Sequence, residues 1–322
     1  MKSIPVLLAS VWAFQAQGVE VTPYIVNGTN ISASTHPSFV SLFYDRIDYD
    51  GVYASSPYCG GTLLSDSYVL TAAHCIYESS RYQLFTSVVP QLENESDFPN
   101  SILQRVMVEE FYYPSSYNNT TLYDDIAILK LANPITAVNT YADLAVASDQ
   151  PTYRQASETF YAVGHGNTEN GVDSSEQLQR TELKWVDNVA CSIYSSDTSD
   201  NLCMTGAATV IYDNATCQGD SGGPLYWNGK QVGITSFGPQ TCGDPAVTPN
   251  SVFTEVAISK HSDWINSVLN GNETPKLTVS ESDRTASIGG TASSDSSGDS
   301  GGTLGFLALS LLGFIGWRRK SA

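Results

Sequence analysis

The sequence predicts an all-β protein, and three observations lead there. From about Ile25 to Leu269, short runs of β-branched and aromatic residues alternate with Gly, Pro, Asn, Asp and Ser. A helical period is sustained only over His261–Leu269, where Trp264, Ile265 and Val268 recur at i, i+1 and i+4. The apolar fraction of 41% and charged fraction of 15% are those of a chain that forms a core. Many short strands divided by turns predict a sandwich or a barrel.

Taken in chain order, the runs that read as strands include Ser38–Tyr44, Gly61–Leu64, Tyr68–Thr71, Ile102–Val108, Ile126–Leu131, Phe160–Val163, Gln231–Phe237 and Val252–Val256. No repeat of solenoid length occurs. Before them, Lys2, the apolar stretch Ile4–Phe14 and the small residues Ala16 and Gly18 read as a signal peptide over 1–18. After them the composition changes. Residues 272–300 are rich in Ser, Thr, Gly and Asp and read as a linker too polar to fold. Gly301-Gly302, the apolar run Leu304–Trp317 and Arg318-Arg319-Lys320 then resemble the glycine-glycine C-terminal sorting signal of Gram-negative bacteria. That resemblance implies transient membrane association and removal by a sorting protease. The alternatives are a plain tail anchor and a lipid-anchor signal, although the latter normally ends in apolar residues.

A net charge of −18 and a pI near 4.3 exclude nucleic acid as a partner, because phosphate binding needs a positive footprint. Such a charge suits the solubility of an exported protein. The six cysteines, Cys59, Cys75, Cys191, Cys203, Cys217 and Cys242, fit an oxidising compartment and allow fifteen pairings. No two have the tight spacing of zinc ligands, and no metal or cofactor is expected.

Three segments together carry chemistry: Thr71-Ala72-Ala73-His74-Cys75, Asp124-Asp125-Ile126-Ala127-Ile128-Leu129 and Cys217-Gln218-Gly219-Asp220-Ser221-Gly222-Gly223-Pro224. Acyl transfer from an amide needs a nucleophile, a base, a group that orients the base and donors for the oxyanion. Ser221 lies among glycines that permit close approach of a substrate backbone. His74 is the base that both accepts and returns a proton near neutral pH. Asp125 opens an apolar strand, a costly place for a charge unless it is paired. Singly, each has a structural reading as a turn, a core histidine or a surface carboxylate. Their combination and order favour the chemical one.

On these motifs the chain from Ile25 to about Leu269 resembles the trypsin/chymotrypsin family of serine proteases. The resemblance implies two six-stranded antiparallel β-barrels with a C-terminal helix, a domain over 25–271 and a catalytic cleft between the barrels. It implies His74 as general base, Asp125 as its orienting carboxylate, Ser221 as nucleophile, and the N–H groups of Gly219 and Ser221 as oxyanion donors. Asp124 falls outside the motif position and is expected at the surface. Ser236 matches the serine that contacts the triad carboxylate, and Phe237 stands where the family has tryptophan. The implied disulfides are Cys59–Cys75, Cys191–Cys203 and Cys217–Cys242.

Ile25-Val26-Asn27-Gly28 resembles the N-terminus that activated family members expose, which would place a freed Ile25 ammonium beside Asp220 and make 19–24 a propeptide. An activating protease, another or the enzyme itself, would cut after Tyr24. The position of the trypsin pocket aspartate holds Ala215, next to Thr216, and Ser251 replaces a pocket glycine near Gly238. Without a carboxylate to pair a buried Lys or Arg, cleavage after apolar or aromatic residues of protein or peptide substrates is expected. His36, His165 and His261 read as structural, and sequons occur at Asn27, Asn94 and Asn214. A catalytically dead binding module is the chief rival, but such proteins usually lose a triad member or the activation terminus. A lipase would need a Gly-x-Ser-x-Gly elbow and a histidine last in the chain, which are absent.

Overall fold

The computed structural model describes residues 25–167, 176–194, 197–208 and 211–289. The expected signal peptide 1–18, propeptide 19–24 and sorting segment 301–322 lie outside the described residues, as does the expected linker from residue 290. No helix among the described residues is long and apolar enough to cross a membrane.

After β1 (Thr29–Asn30), the strands β2 (Phe39–Arg46), β3 (Val52–Tyr53), β4 (Cys59–Leu63), β5 (Tyr68–Thr71), β6 (Thr86–Pro90), β7 (Val106–Tyr112) and β8 (Ala127–Leu131) build the first barrel. Its ring runs β7-β6-β2-β4-β5-β8 and closes by pairing of β7 with β8, with β3 appended to β2. The second barrel uses β9 (Phe160–Gly164), β10 (Gln179–Val186), β11 (Asn201–Gly206), β12 (Pro224–Trp227), β13 (Lys230–Phe237) and β14 (Ser251–Glu255). Its ring runs β10-β11-β14-β13-β12-β9 and closes through β9 and β10. All pairings within the two rings are antiparallel, so each is a closed six-stranded barrel without a free edge. β1 pairs with β10, which ties the N-terminal segment to the second barrel before the chain enters the first.

Alternating side chains fill each barrel. Val40, Leu42, Leu70, Val108 and Ile128 are fully buried in the first; Phe160, Leu183, Leu202, Leu225 and Phe253 are in the second. The helix α4 (Ser259–Leu269) follows the second barrel but buries Ile265 and Val268 in the apolar cluster of the first. The helices α1 (Ile47–Asp50), α2 (Ser80–Phe85) and α3 (Gln150–Tyr153) are single turns or little more, and α5 (Glu281–Gly289) ends the described chain.

Two expectations need correction. The strand read over Ile102–Val108 lies at Val106–Tyr112 instead. Its polar leader is drawn off the ladder: Gln104 Oε1 accepts from the N–H groups of Thr136 (2.8 Å) and Ala137 (3.1 Å), and Arg105 pairs with Asp45 and Asp48. The stretch from residue 272, read as an unfolded linker, is also ordered as far as 289. β15 (Leu277–Thr278) adds to β7 in the register Leu277↔Phe111, Val279 is buried, and α5 follows. Ser280 and Asp283 exchange hydrogen bonds at the start of α5, one from Ser280 N–H to Asp283 at 2.8 Å and one from Asp283 N–H to Ser280 Oγ at 3.3 Å. The folded domain therefore extends beyond 271. Composition missed this because the segment is held by backbone pairing and by one buried cation. The guanidinium of Arg284, 3% exposed, donates to the carbonyls of Leu84 (2.8 Å) and Val108 (2.5 Å).

Removing that guanidinium would leave two carbonyls short of a donor. Arg284→Ala should lower the stability of the chain by about 1–3 kcal/mol. Urea unfolding followed by tryptophan fluorescence would measure it, and an unchanged midpoint would contradict the packing described.

Candidate active site

His74 sits in a short 3-10 turn, Ala73–Cys75, directly after β5, and the Cys59–Cys75 disulfide fastens that turn to β4. Asp125 immediately precedes the buried run into β8, which pairs with β5 in the register Thr71↔Ala127. Neighbouring strands of one barrel thus bring the two residues together. Asp125 is fully buried and its carboxylate is well coordinated: Oδ1 accepts from His74 N–H at 2.9 Å, and Oδ2 lies 2.7 Å from His74 Nδ1. Ser236 Oγ, on β13 of the second barrel, donates to the same Oδ2. With a carboxylate as the acceptor, Nδ1 carries the proton and Nε2 is the basic face of the ring. Burial lowers the basicity of His74, but the charge of Asp125 and its hydrogen bond outweigh this and raise the pKa above its ordinary value.

Ser221 lies in the turn between the Cys217–Cys242 disulfide and β12. Its carbonyl accepts from Gly60 N–H at 2.7 Å, and Gly222 N–H donates to Thr235 O at 2.8 Å, so the turn is pinned to both barrels. Two glycines are needed here for steric reasons. Gly219 has φ +101°, and a Cβ there would meet Gly166 Cα at 2.9 Å. Gly222 has φ +76°, and a Cβ would collide with the Thr71 hydroxyl, which lies three residues from His74. A side chain at Gly222 would force the serine turn away from the histidine segment, and one at Gly219 would force it away from the Gly166 loop. Neither Gly219 N–H nor Ser221 N–H donates to a protein acceptor among the described residues, which leaves two donors beside the Ser221 side chain.

A cavity of about 300 Å³ adjoins Ser221, lined by Thr216, Gln218, Ser236, Gly238, Pro239 and the Cys217–Cys242 bridge among others. None of its lining residues bears a titratable group. Ala215 lies behind the wall, fully buried against Val26 and the same disulfide. Ser251 also stands behind it, where its Oγ accepts from Thr216 N–H at 2.9 Å. Asp213 does not line the cavity. Phe237 packs edge-to-face on Tyr194, with ring centroids 5.6 Å apart. The remaining disulfide, Cys191–Cys203, braces β11, and no described cysteine is free.

Ile25 and Val26 are buried, and Val26 joins the Ala215–Cys217–Cys242 cluster next to the cavity. Asp220, 1% exposed, accepts from Gly166 N–H and Cys217 N–H, each at 2.8 Å. No cationic side chain pairs with it among the described residues. Burial pushes its pKa from 3.8 up to about 7, despite the two backbone donors.

Asp124 overturns its expectation as a surface residue. It is 4% exposed and bonded to Ser116, Lys260 and His261. Its partners are distant in sequence, so the doublet Asp124-Asp125 gave no sign of it. His261 likewise is fully buried, in contact with Asp124. His165 is buried with its Nε2 donating to Leu92 O at 3.2 Å, and burial lowers its pKa to about 4. Burial, together with Arg180, also lowers that of His36, which stacks on Tyr226, to about 4.

Comparison with known proteins gives one consistent result. The family model described as Trypsin matches residues 25–265. Chymotrypsin-like elastase family member 1 of Bos taurus is 32% identical over 79% of this chain and 92% of its own length. Trypsin Blo t 3 of Blomia tropicalis is 32% identical over 71% of this chain and 80% of its own length. A snake venom serine protease, serpentokallikrein-2 of Protobothrops mucrosquamatus, is 30% identical over 77% and 88%. Among solved structures, human heparin binding protein superposes with a TM-score of 0.62 at 23% identity, over 79% of this chain and all of that one, a likeness of fold.

The unpaired Asp220 carboxyl has a measurable consequence. Its folded pKa lies above the unfolded value of 3.8, so the folded, uncleaved chain retains a proton that the unfolded chain releases. This contribution to stability is complete below about pH 4 and is lost as the pH rises through about 7. In uncleaved Ser221→Ala protein the urea midpoint should fall over that window. Adding Asp220→Asn should flatten the fall; an identical pH dependence in both proteins would refute the assignment.

Proposed function

This chain belongs to the trypsin family of serine endopeptidases, and we propose that it is an exported zymogen whose mature form cleaves peptide bonds through Ser221, His74 and Asp125. The observation that carries the reading is the coordination of His74. With Nδ1–H directed at the buried Asp125, Nε2 is left as the basic nitrogen of the ring. In the reaction, Ser221 Oγ attacks the carbonyl carbon while Nε2 takes its proton. The oxyanion that forms accepts from Gly219 N–H and Ser221 N–H. His74 then returns the proton to the leaving amine, and the acyl group remains on Ser221. Water, activated by the same base, releases the acid product and restores the serine. The imidazolium formed in each half-reaction is stabilised by Asp125, which Ser236 helps to hold.

The uncharged lining of the 300 Å³ cavity supports cleavage after apolar or aromatic residues. A Lys or Arg entering it would lose its hydration without gaining a carboxylate. Thr216, Ser236 and Gly238 would contact the substrate residue, with Ala215 and Ser251 setting the depth from behind.

Removal of 1–18 on export and of 19–24 after Tyr24 would free the Ile25 ammonium, and the buried, unpaired Asp220 supports its role as the group that receives it. Ion pairing would then fix the turn that carries the oxyanion donors. Three disulfides suit an extracellular location. The tail 301–322 would deliver the protein to the surface or medium of a Gram-negative cell, after cutting by a sorting protease.

A fluorophosphonate probe should label the activated wild-type protein and leave Ser221→Ala unlabelled. Asp125→Asn should reduce kcat by roughly 10⁴-fold, the magnitude found when the orienting carboxylate of such a triad is lost. Peptides that differ only in the residue before the cut bond should show Phe, Tyr or Leu preferred over Arg or Lys; a preference for Arg or Lys would overturn the specificity.

A further inference from the structure

The turn that presents Asp125 is unusual in its backbone. Leu122 and Asp124 both have φ +54°, a left-handed conformation that side-chain-bearing residues seldom adopt. Asp tolerates it better than most, yet two such residues within the three positions before a buried carboxylate persist only where the surroundings impose them. The surroundings here are specific. Asp124 Oδ1 lies 2.9 Å from His261 Nε2 and 2.5 Å from Lys260 Nζ, both on the first turns of α4. Oδ2 accepts from Ser116 Oγ at 2.5 Å, and Asp124 N–H donates to Asp200 Oδ2 at 2.7 Å. The Asp124 carbonyl accepts from Ile126 N–H at 2.8 Å, which folds the chain tightly across Asp125. Every polar group of Asp124 is thus engaged, and its neighbour is turned to the opposite side, towards His74.

We propose that Asp124, held by His261 and Lys260, is a positioning residue that aims the Asp125 carboxylate at His74. The proposal rests on Asp125 being the triad carboxylate. His261 makes the anchor strong. Its Nδ1 faces the Glu255 carbonyl oxygen at 2.6 Å and its Nε2 faces the Asp124 carboxylate, so both ring nitrogens are engaged and the ring is fixed between β14 and the Asp124 loop. The exposed Lys260 ammonium, 3.9 Å from Asp200 Oδ2 as well, closes this cluster from the solvent side, over the buried Asp124, Asp200 and His261. The other polar or titratable groups around it are Asp197 on the approach to β11, and Ser116 and Tyr123 in the loop of Asp124 itself; the Lys260 ammonium lies 3.9 Å from the Tyr123 ring centroid. Burial pushes the Asp124 carboxyl up, but the bonds from His261, Lys260 and Ser116 reverse this and hold it well below the usual carboxylate range.

The test combines His261→Phe, which keeps the volume of the ring, with the near-isosteric Asp124→Asn. Each should leave KM within about twofold and lower kcat by ten- to about a hundredfold, the scale expected when a reacting group is displaced. Because Asp125 raises the pKa of His74, a loosened Asp125 should move the acid limb of the kcat/KM profile to lower pH. The double variant should lose little beyond the worse single one, since both changes release the same turn. Additive losses, or single variants with the parental pH profile, would overturn the proposal. Should His261→Phe fail to fold, Asp124→Asn and Ser116→Ala carry the same comparison. The low-field proton resonance of His74 Nδ1 and its titration provide a readout that needs no turnover. If the parent protein cleaves no peptide, the endopeptidase reading fails, while a His74 titration identical in parent and variants separately overturns this one.

Discussion

The fold is organised around one buried charge. Asp125 has no exposure, and a carboxylate in such a place must be bonded on every side or be strongly destabilising. Its donors come from both barrels: the backbone and ring of His74 from the turn after β5, and the hydroxyl of Ser236 from β13. Meeting its demand requires the two barrels to be in register with each other. The pairing of Gly222 with Thr235, one residue before Ser236, brings the serine turn to the same place. The solvation of a single anion and the seating of the serine turn between the barrels are therefore satisfied by one arrangement. Breaking either barrel's contribution would leave an uncompensated charge, which costs more than the bond itself contributes.

The residues proposed to react stand out in the sequence because each lies in a contiguous motif whose meaning is local. Ser221 is identified by the glycines on either side, and His74 by the short run that ends in a cysteine. Barrel strands such as Tyr68–Thr71 were legible for the same reason, since β-branched and aromatic runs between turn residues need no distant information. Asp124 was not legible. Its burial depends on Asp200 and His261, 76 and 137 positions away, and a pair of aspartates looks the same whether hydrated or enclosed. The segment 272–289 failed differently. Its few apolar groups argued against folding, but strand addition to β7 uses backbone amides that every residue has, and Arg284 is buried through carbonyls. Counting hydrophobic residues does not register such bonds.

Asp220 and Asp125 make an instructive contrast. Both are buried carboxylates near Ser221, but Asp125 is bonded by two side chains and a backbone amide, and Asp220 by backbone amides alone. The first is complete as it stands. The second, raised to about 7, has no cationic side chain beside it among the described residues, as the proposed activation by a freed ammonium would require. The segment from Ile25 packs along the cavity wall through Val26, so the proposed activation would need little movement of the chain. The difference between the uncleaved and cleaved chains would be electrostatic before it is structural.

The C-terminal addition of β15 and α5 has a mechanical consequence. Any load drawn through the chain beyond residue 289 enters the folded domain at α5, where Arg284 is bonded to carbonyls of the first barrel, and passes next to the β15–β7 pair. Only after both gave way would it reach α4, whose Lys260 and His261 grip the loop bearing Asp125. The addition therefore acts as a strain relief. A pull on the tail would load these bonds before it reached the loop bearing Asp125.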